Sequence, residues 1–510
     1  MLFAAAQAGT GTAAFSGRGR IGVGMLGAWA LVILHLLVTL ALFAYTVNWY
    51  VLLALMLRRW RKVIRQQRQG PGLPAARQAW PAVLVQLPVY NEKQVVRRVI
   101  QAACALDWPR ERLTVQVLDD STDDTPWLVA AEVARWRTQG VDVQHLRRHV
   151  RHGYKAGALQ EGQKRSQAPF TAIFDADFVP PRDWLQKTIP YLLADPRVGA
   201  VQTRWTHLNR DASLLTRVLA LAIDGHFAVE QAARLWNGLL GNFNGTAGVW
   251  RAAAIQDAGG WQGDTLTEDL DLSYRAQLRG WRIAYLPEVT VAAELPADMR
   301  SVKAQQFRWA KGSLQTARKL LPRLWQAPLP GWVKLQATLH LTVYLIHPLM
   351  LASVGLALLQ LPLVPAPQPL TAVDLALFAV GVLGPLLSYG AAQLVLYRDG
   401  WRRLWLLPLL LPLGAGLAMN TTRAFWQVLR RRPGEFVRTP KRGAARSLGE
   451  YRLPLSWPVL LDGLGGAGCA VAAWLYATRG HLAMAGLLGL YALGFIAVAL
   501  LTLCGDGRRG

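Results

Sequence analysis

Apolar runs long enough to cross a bilayer stand on both sides of one polar block, and that arrangement limits what this chain can fold into. The first run extends from Ile21 to Met56. The later ones are Leu335–Leu361, Ala372–Tyr397, Trp457–Ala477 and Leu482–Leu503. Roughly 20 consecutive apolar residues cross the hydrocarbon core as a helix, which satisfies its own backbone where no water can. The first run is too long for the core of a cleaved signal peptide, and basic residues follow its strongest part. It reads as a retained anchor, best placed at residues 31–57. The run Trp401–Met419 is shorter and carries Pro408 and Pro412, so it reads as an interfacial or re-entrant segment. About five spans result.

Charge agrees with this plan. The chain is 52% hydrophobic, 17% charged and carries a net charge of +25. Its basic clusters, Arg58–Arg68 and Leu429–Arg442, adjoin apolar runs, as the positive-inside rule requires of cytosolic flanks. The excess therefore needs no nucleic-acid partner. Had residues 401–419 crossed, the two clusters would face opposite sides, against that rule. Three cysteines, Cys104, Cys469 and Cys504, form no C-x-x-C pair; they read as small buried hydrophobes, and any metal chemistry falls to carboxylates. The resulting division is a flexible N-terminus (1–30), an anchor (31–57), a basic linker (58–80), a cytosolic block (81–328) and a membrane domain (329–510). The last includes the interfacial segment 401–419 and a cytosolic basic loop, 423–453.

Inside the block, strand-like runs (Ala82–Leu87, Thr114–Leu118, Val141–His145, Thr171–Phe174 and Val198–Gln202) alternate with helical stretches such as Glu92–Ala105 and Pro126–Gln139. Alternation of this kind predicts an α/β fold, a mostly parallel sheet with helices on both faces. Ligands of such sheets sit beyond the carboxyl ends of the strands. Asp119, Asp120 and Asp175 each follow a strand-like run and should project there.

The acids and their neighbours suggest chemistry. In D-A-D, alternate residues of an extended segment share a face, so Asp175 and Asp177 can aim at one Mg2+ or Mn2+, an ion that prefers carboxylate and phosphate oxygens. Exposed turn acids are the plain alternative. Asp119 and Asp120 can hold ribose or base groups, or cap the helix starting near Asp124. T-E-D-L-D-L opens a helix, with Thr265 and Glu268 spaced as a capping box. Asp269 or Glu268 there can act as a general base. A helix N-terminus lowers a carboxyl pKa, however, and burial against Trp261 or an acceptor sugar has to oppose it. In Q-Q-F-R-W, Arg308 can neutralise phosphate and Trp309 can stack on a sugar; an amphipathic helix lying on the membrane is the alternative. Lys155, in H-G-Y-K-A-G-A-L, offers a further phosphate partner, and F-N-G-T-A-G-V-W-R, with Gly245 and Thr246, a tight loop at an acceptor.

With these residues assembled, the stretch from Ala82 to Gly312 resembles the family-2 inverting glycosyltransferases. It is most similar to the plant cellulose-synthase-like mannan and glucan synthases and their bacterial relatives. The resemblance rests on Q-L-P-V-Y-N-E (Gln86–Glu92), Q-V-L-D-D-S-T-D-D-T, G-Y-K-A-G-A-L, F-D-A-D-F, F-N-G-T-A-G-V-W-R, E-L-P (Glu294–Pro296), Gln305, Arg308 and Trp309. A looser likeness joins E-F-V-R-T-P-K (Glu435–Lys441) to the F-x-V-T-x-K gating loop of cellulose synthases; the order here is Phe436, Arg438, Thr439, Lys441.

The resemblance implies a GT-A-like domain. In it Tyr90, Glu92 and Asp119 or Asp120 contact the nucleoside, and Asp175 and Asp177 hold a metal diphosphate with Lys155 nearby. Asp269 is the base, and Gln305, Arg308 and Trp309 hold the donor and the acceptor end. It further implies direct displacement at the anomeric carbon, giving a β-linkage from UDP-glucose or GDP-mannose, with the membrane helices forming a channel for a growing polysaccharide. The expected protein is thus a multi-pass synthase of a β-linked mannan or glucan, with its catalytic block cytosolic, in a bacterial inner membrane. Two alternatives stand beside it. One is a glycolipid synthase adding one glucose to a diacylglycerol or ceramide acceptor. The other is a transporter or channel with a cytosolic regulatory domain. The latter needs charged groups facing a pore, and the spans hold chiefly His35 and Asp374, which snorkelling or an interfacial position would explain.

Overall fold

Valine-rich strands buried on both faces build the centre of the polar block. The computed structural model describes residues 20–148, 150–363, 372–432, 434, 437–441, 443, 453–455 and 458–504. The expectations made for residues 1–19, and for Glu435 and Phe436, lie outside the described residues. The sheet has seven strands: β1 (Val83–Val89), β2 (Leu113–Asp119), β3 (Asp142–Arg147), β4 (Phe170–Ile173), β5 (Val198–His207), β6 (Gly248–Arg251) and β7 (Arg282–Ala293). Their order is β3-β2-β1-β4-β6-β5-β7.

The first four are parallel, in a register that pairs Val83 with both Leu113 and Phe170 and brings Val89 opposite Asp119. One side of the sheet packs Val85, Leu87, Val115 and Val117 against the helix Val96–Cys104. The other packs Leu118 and Ile173 against Leu159 of the helix Tyr154–Lys164. Because β1, β2 and β4 end side by side, the residues that follow them share one edge.

Two strands escape the sequence pattern. β6 is only four residues long and reads as the tail of a glycine-rich loop; it runs antiparallel to β4 and β5. β7 contains Pro287, a residue that argues against a strand, and its pairing with β5 shifts register between Thr203 and Arg204, where the missing proline N–H is accommodated.

The expected basic linker is also different. One unbroken helix, Arg20–Arg68, carries the anchor through the whole Arg58–Arg68 cluster. Its end docks on the block: Gln67 Nε2 donates to the Tyr285 carbonyl at 2.7 Å, and Arg68 pairs with Glu288. These contacts reward helix continuation over an extended linker.

Among the described residues, four helices are long and apolar enough to cross a membrane: Trp29–Arg68, Val343–Gln360, Pro458–Thr478 and Leu482–Leu503. Gly400–Gly416 and Ala418–Leu429, bent by 40°, would make a fifth if taken as one span. The helix Ala372–Leu396 adds a shorter apolar stretch, Val380–Leu396. The run Leu335–Leu361 is not one helix. It breaks at Thr342 between Gly331–Leu341 and a turn leading into Ile346–Gln360. Polar pairs join these helices, including Tyr45 to Thr342 at 2.8 Å and Asn48 to Gln336 at 2.8 Å. His35 does not snorkel; it is buried and hydrogen-bonds Gln360 at 2.9 Å and Ser353 at 3.1 Å. Such bonds act as interhelical glue where no water competes. The side chain of Asp374 lies outside the described residues.

The long amphipathic helix Met299–Gln326 fastens the block to the apolar helices. Lys303 pairs with Asp462 of Pro458–Thr478 at 2.6 Å, with side chains 9% and 1% exposed, and Asn420 Nδ2 donates to the Lys303 carbonyl. Removing one partner of so buried a pair strands the other charge, at a cost of about 3–5 kcal/mol, whereas replacing both with apolar groups is near neutral. Asp462→Asn is therefore expected to lower the unfolding temperature of the detergent-solubilised protein, and Lys303→Met with Asp462→Leu to restore most of it.

Candidate active site

A cavity of about 210 Å³ opens at the carboxyl edge of β1, β2 and β4. After β1 the chain turns sharply at Asn91, whose φ of 56° is left-handed; its N–H bonds Ser121 Oγ and its Oδ1 accepts from the Thr122 N–H. Asparagine tolerates that conformation. The turn presents Tyr90 and Glu92 to the cavity. The Arg151 guanidinium lies 3.4 Å above the Tyr90 ring. Glu92 takes a two-pronged bond from Arg438, at 2.9 and 2.7 Å. Burial pushes the Glu92 carboxyl above its ordinary range, with Arg438 opposing.

The two acids ending β2 part company. Asp119 is fully buried, bonding His145 Nε2 at 2.8 Å and the Ser121 N–H at 2.9 Å, so both its oxygens hold the fold and it does not line the cavity. Asp120 does line it, gripped by Arg148 and with Arg151 at 3.8 Å. The helix at Thr125 is entered through Asp123, whose Oδ1 accepts the Thr125 N–H, and not through a side-chain cap from Asp124.

D-A-D follows β4 as a turn, closed by the Phe178 N–H on the Asp175 carbonyl, and not as an extended segment. The alternation argument therefore does not apply. The tight turn itself sets both carboxylates on the cavity wall. Asp175 bonds Lys155 Nζ at 2.6 Å through Oδ1. Asp177 uses Oδ2 for Lys441 Nζ at 2.8 Å and the Glu294 N–H at 3.2 Å. Among the described residues, each thus keeps a second carboxylate oxygen for another ligand. No group of three or more His, Cys, Asp or Glu that could hold an ion occurs among the described residues. Two hard oxygen donors beside open space fit a divalent cation shared with substrate phosphate, and not one caged by protein.

The loop before β6 supplies Asn244 and Gly245. Asn244 Oδ1 is held by His226 Nε2 at 3.0 Å, while the Gly245 carbonyl accepts from Lys155 Nζ at 2.8 Å. Thr246 does not face the cavity. It is fully buried, and its hydroxyl accepts the Asp175 N–H at 2.9 Å, so it positions the acid and would not touch an acceptor.

The helix Glu268–Leu278 brings Glu268 and Asp269 to the opposite wall. Its expected capping box is not formed: the N-cap is Thr267, whose hydroxyl bonds Thr316 at 3.3 Å and does not cap the helix, and the Thr265 hydroxyl is buried without a partner among the described residues. Burial pushes the Asp269 carboxyl up to about 7, the Glu268 charge adds to the rise, and Lys155 opposes it. The helix dipole is present, with the Leu270 N–H on Asp269 Oδ1 at 2.9 Å, but burial outweighs it. Trp261 is not the cause, since it packs on Trp250 away from the cavity lining. Burial lowers the proton affinity of Lys155, but Asp175 and Glu268 (3.8 Å away) more than reverse this.

Gln305, Arg308 and Trp309 line the cavity from the helix Met299–Gln326. Arg308 donates to the Val437 carbonyl at 3.2 Å, and burial lowers its pKa against the pull of Asp175 and Glu268.

Arg151, Asn244, Glu294, Arg438 and Lys441 also line the cavity and were not among the candidate site residues. Asn244 and Glu294 lay inside quoted motifs. Arg438 and Lys441 belong to the loop noted only for its loose likeness, and their partners stand 346 and 264 positions away.

The block that holds this cavity is similar to known proteins. Residues 81–312 match the family described as Glycosyltransferase like family 2. That likeness spans the whole seven-stranded sheet, from Val83 to Ala293. It is 47% identical to glucomannan 4-beta-mannosyltransferase 2 of Arabidopsis thaliana over 246 residues, 48% of this chain and 46% of the relative. To probable glucomannan 4-beta-mannosyltransferase 3 of Oryza sativa subsp. japonica it is 46% identical over 265 residues, 51% and 48% of the two chains. The chain spans about half the length of the curated relatives it matches. Among solved structures, mannosyltransferase PcManGT from Pyrobaculum calidifontis, in complex with GDP-Man and Mn2+, is similar at 22% identity and a TM-score of 0.49, covering 79% of this chain and 99% of its own. With its apolar helices, the chain is an integral membrane protein.

Gly245 stands where the cavity wall leaves no room for a side chain. Its φ is +77°, and a Cβ there would lie 2.9 Å from Asp269 Oδ2 and 3.4 Å from Lys155 Nζ. Gly245→Ala is expected to displace Asp269 and cut catalytic turnover about 100-fold, and the strained φ is expected to lower the unfolding temperature as well. Turnover within a few-fold of wild type would show that this packing does not set the chemistry.

Proposed function

We propose that the chain is a membrane-bound inverting hexosyltransferase that polymerises a β-linked mannan or glucan from a nucleotide sugar, GDP-mannose before UDP-glucose. The observation that carries the reading is Lys155. One ammonium bonds Asp175 and the Gly245 carbonyl and stands 3.8 Å from Glu268, so diphosphate-side acids and base-side acids meet across one cavity. The names of the matched relatives, glucomannan 4-beta-mannosyltransferases, support mannose and a polymer over a single-sugar glycolipid. The catalytic cavity itself supports an enzyme over a transporter. The relatives are plant proteins and lend nothing to a bacterial inner membrane. The proposed location is a bilayer with the catalytic block and the basic loop on the same, cytosolic, side.

In this reading Tyr90, Glu92 and Asp120 face the nucleoside, while Arg151 and Arg438 orient the first two. Asp175 and Asp177 would hold Mg2+ or Mn2+ with the donor's diphosphate oxygens, where the cation supplies positive charge against the departing diphosphate. Lys155 and Arg308 add fixed positive charge for the same group. Trp309 stacks on the acceptor sugar, and Gln305 bonds beside it. Asp269 takes the acceptor hydroxyl proton as that oxygen forms its bond to the anomeric carbon and the diphosphate leaves from the opposite face. Inversion follows from that geometry.

The raised Asp269 carboxyl sets a pH dependence. The ionised form is the base, so transfer should rise with pH through about 7 and fall below it. Glu268 contributes to the rise, so Glu268→Gln lets Asp269 ionise at lower pH and moves the acidic limb of the rate profile downward. A limb that stays in place would remove Glu268 from the coupling, and Asp269→Asn with undiminished transfer would remove the base.

The activity itself is tested with purified full-length protein, radiolabelled GDP-mannose or UDP-glucose, and Mn2+. The expected product is insoluble and sensitive to β-mannanase. Chelation by EDTA should abolish it, and added Mn2+ restore it. Label extracted wholly into chloroform–methanol would overturn the polymer.

A further inference from the structure

A second cleft, of about 330 Å³, lies where the helix Ala372–Leu396 ends and the chain turns into the 3-10 segment Gly400–Leu409. Arg210, Asp211 and Arg217 form one wall; Asp399, Arg402 and Arg403 are on the other. Four arginines thus meet two aspartates, a net charge of +2. The ion pairs there engage only Arg217, at 3.3 Å from Asp211, and Arg403, at 3.4 Å from Asp399. Arg210 and Arg402 rest on aromatic faces instead, each 5.4 Å from its ring, Tyr397 and Trp401 respectively. Neither guanidinium forms an ion pair among the described residues.

The surroundings are those of a bilayer surface. Trp401 and Trp405 are each 63% exposed beside the arginines, while Leu404 and Leu407 of the same segment pack over Gly390 of the apolar helix. Indoles favour the headgroup level, where one edge is apolar and the other wet. Guanidinium forks match phosphate oxygens in pairs.

We propose that this cleft binds the headgroup phosphate of an anionic phospholipid. A zwitterionic headgroup brings its own cation and would leave the +2 charge unanswered. A free phosphate would satisfy the arginines but not the exposed indoles, nor the apolar stretch Val380–Leu396 running away from the cleft, along which acyl chains can lie. Arg403 also donates to Gln393 at 3.4 Å and covers the Tyr397 ring at 3.7 Å, so it supports the fold as well. Arg210 and Arg402 are the residues to change.

The test uses full-length protein in nanodiscs of phosphatidylcholine with a minor share of phosphatidylglycerol, counting retained lipids by native mass spectrometry. Wild type is expected to retain phosphatidylglycerol selectively. Arg210→Gln and Arg402→Gln should each weaken that retention about fivefold, and Arg402→Lys less than Arg402→Gln. Arg59→Gln, a basic residue outside the cleft, should leave it intact, and unfolding temperatures in pure phosphatidylcholine verify that each variant is folded. Equal retention by wild type and the Arg210→Gln/Arg402→Gln double variant would overturn the proposal. Loss of the lipid to millimolar inorganic phosphate would overturn it in favour of a soluble anion. The readout does not involve sugar transfer, so its failure leaves the proposed activity untouched.

Discussion

A half-buried ammonium keeps several acids together that would otherwise push each other apart. Lys155 sits among Asp175, Glu268 and the Gly245 carbonyl, and Asp269 lies within its field. Without that charge, carboxylates crowded at the edge of an apolar sheet would take up protons or open the wall. With it, Asp269 stays poised near neutrality and does not drift to the high values that burial alone favours. The helix Tyr154–Lys164 that carries the lysine is in turn fixed by Leu159 against the sheet, so the core and the cavity share one foundation.

The membrane helices complete the cavity as well as anchoring it. Gln305, Arg308 and Trp309 come from a helix whose preceding turn is pinned to Asp462, and the segment around Arg438 and Lys441 reaches the cavity from between the helices Ala418–Leu429 and Pro458–Thr478. A soluble fragment ending near Pro328 would lose Arg438 and Lys441, the cationic partners of Glu92 and Asp177. Catalytic block and membrane region are one structural unit in this sense.

Much of this was legible in the sequence because the parallel strands announce themselves. Runs such as V-Q-V-L ending in acids located Asp120 and Asp175 at the correct edge. What the pattern could not carry was side-chain direction at a strand end. Asp119 and Asp120 are neighbours, yet one is spent on His145 and the other faces the cavity. Thr246 turned inward for the same kind of reason, to satisfy a backbone N–H left free where β4 ends. The turn at D-A-D, the empty capping box at Thr265 and the continuous helix through Arg68 all reflect tertiary contacts overriding a local preference. The pairs Glu92–Arg438 and Asp177–Lys441 are invisible to any window-sized reading, because closure of the fold creates them.

The unbroken first helix has a mechanical meaning. From Trp29 to Arg68 it runs 40 residues, a rod of about 60 Å at the α-helical rise. The anchor expected at residues 31–57 takes up about 40 Å of that rod, so Arg58–Arg68 carries it about 16 Å further and ends clamped on the edge strand at Tyr285 and Glu288. A strut of that kind has no joint. It acts as a gauge that fixes the distance between the apolar anchor and the sheet edge on which it is clamped.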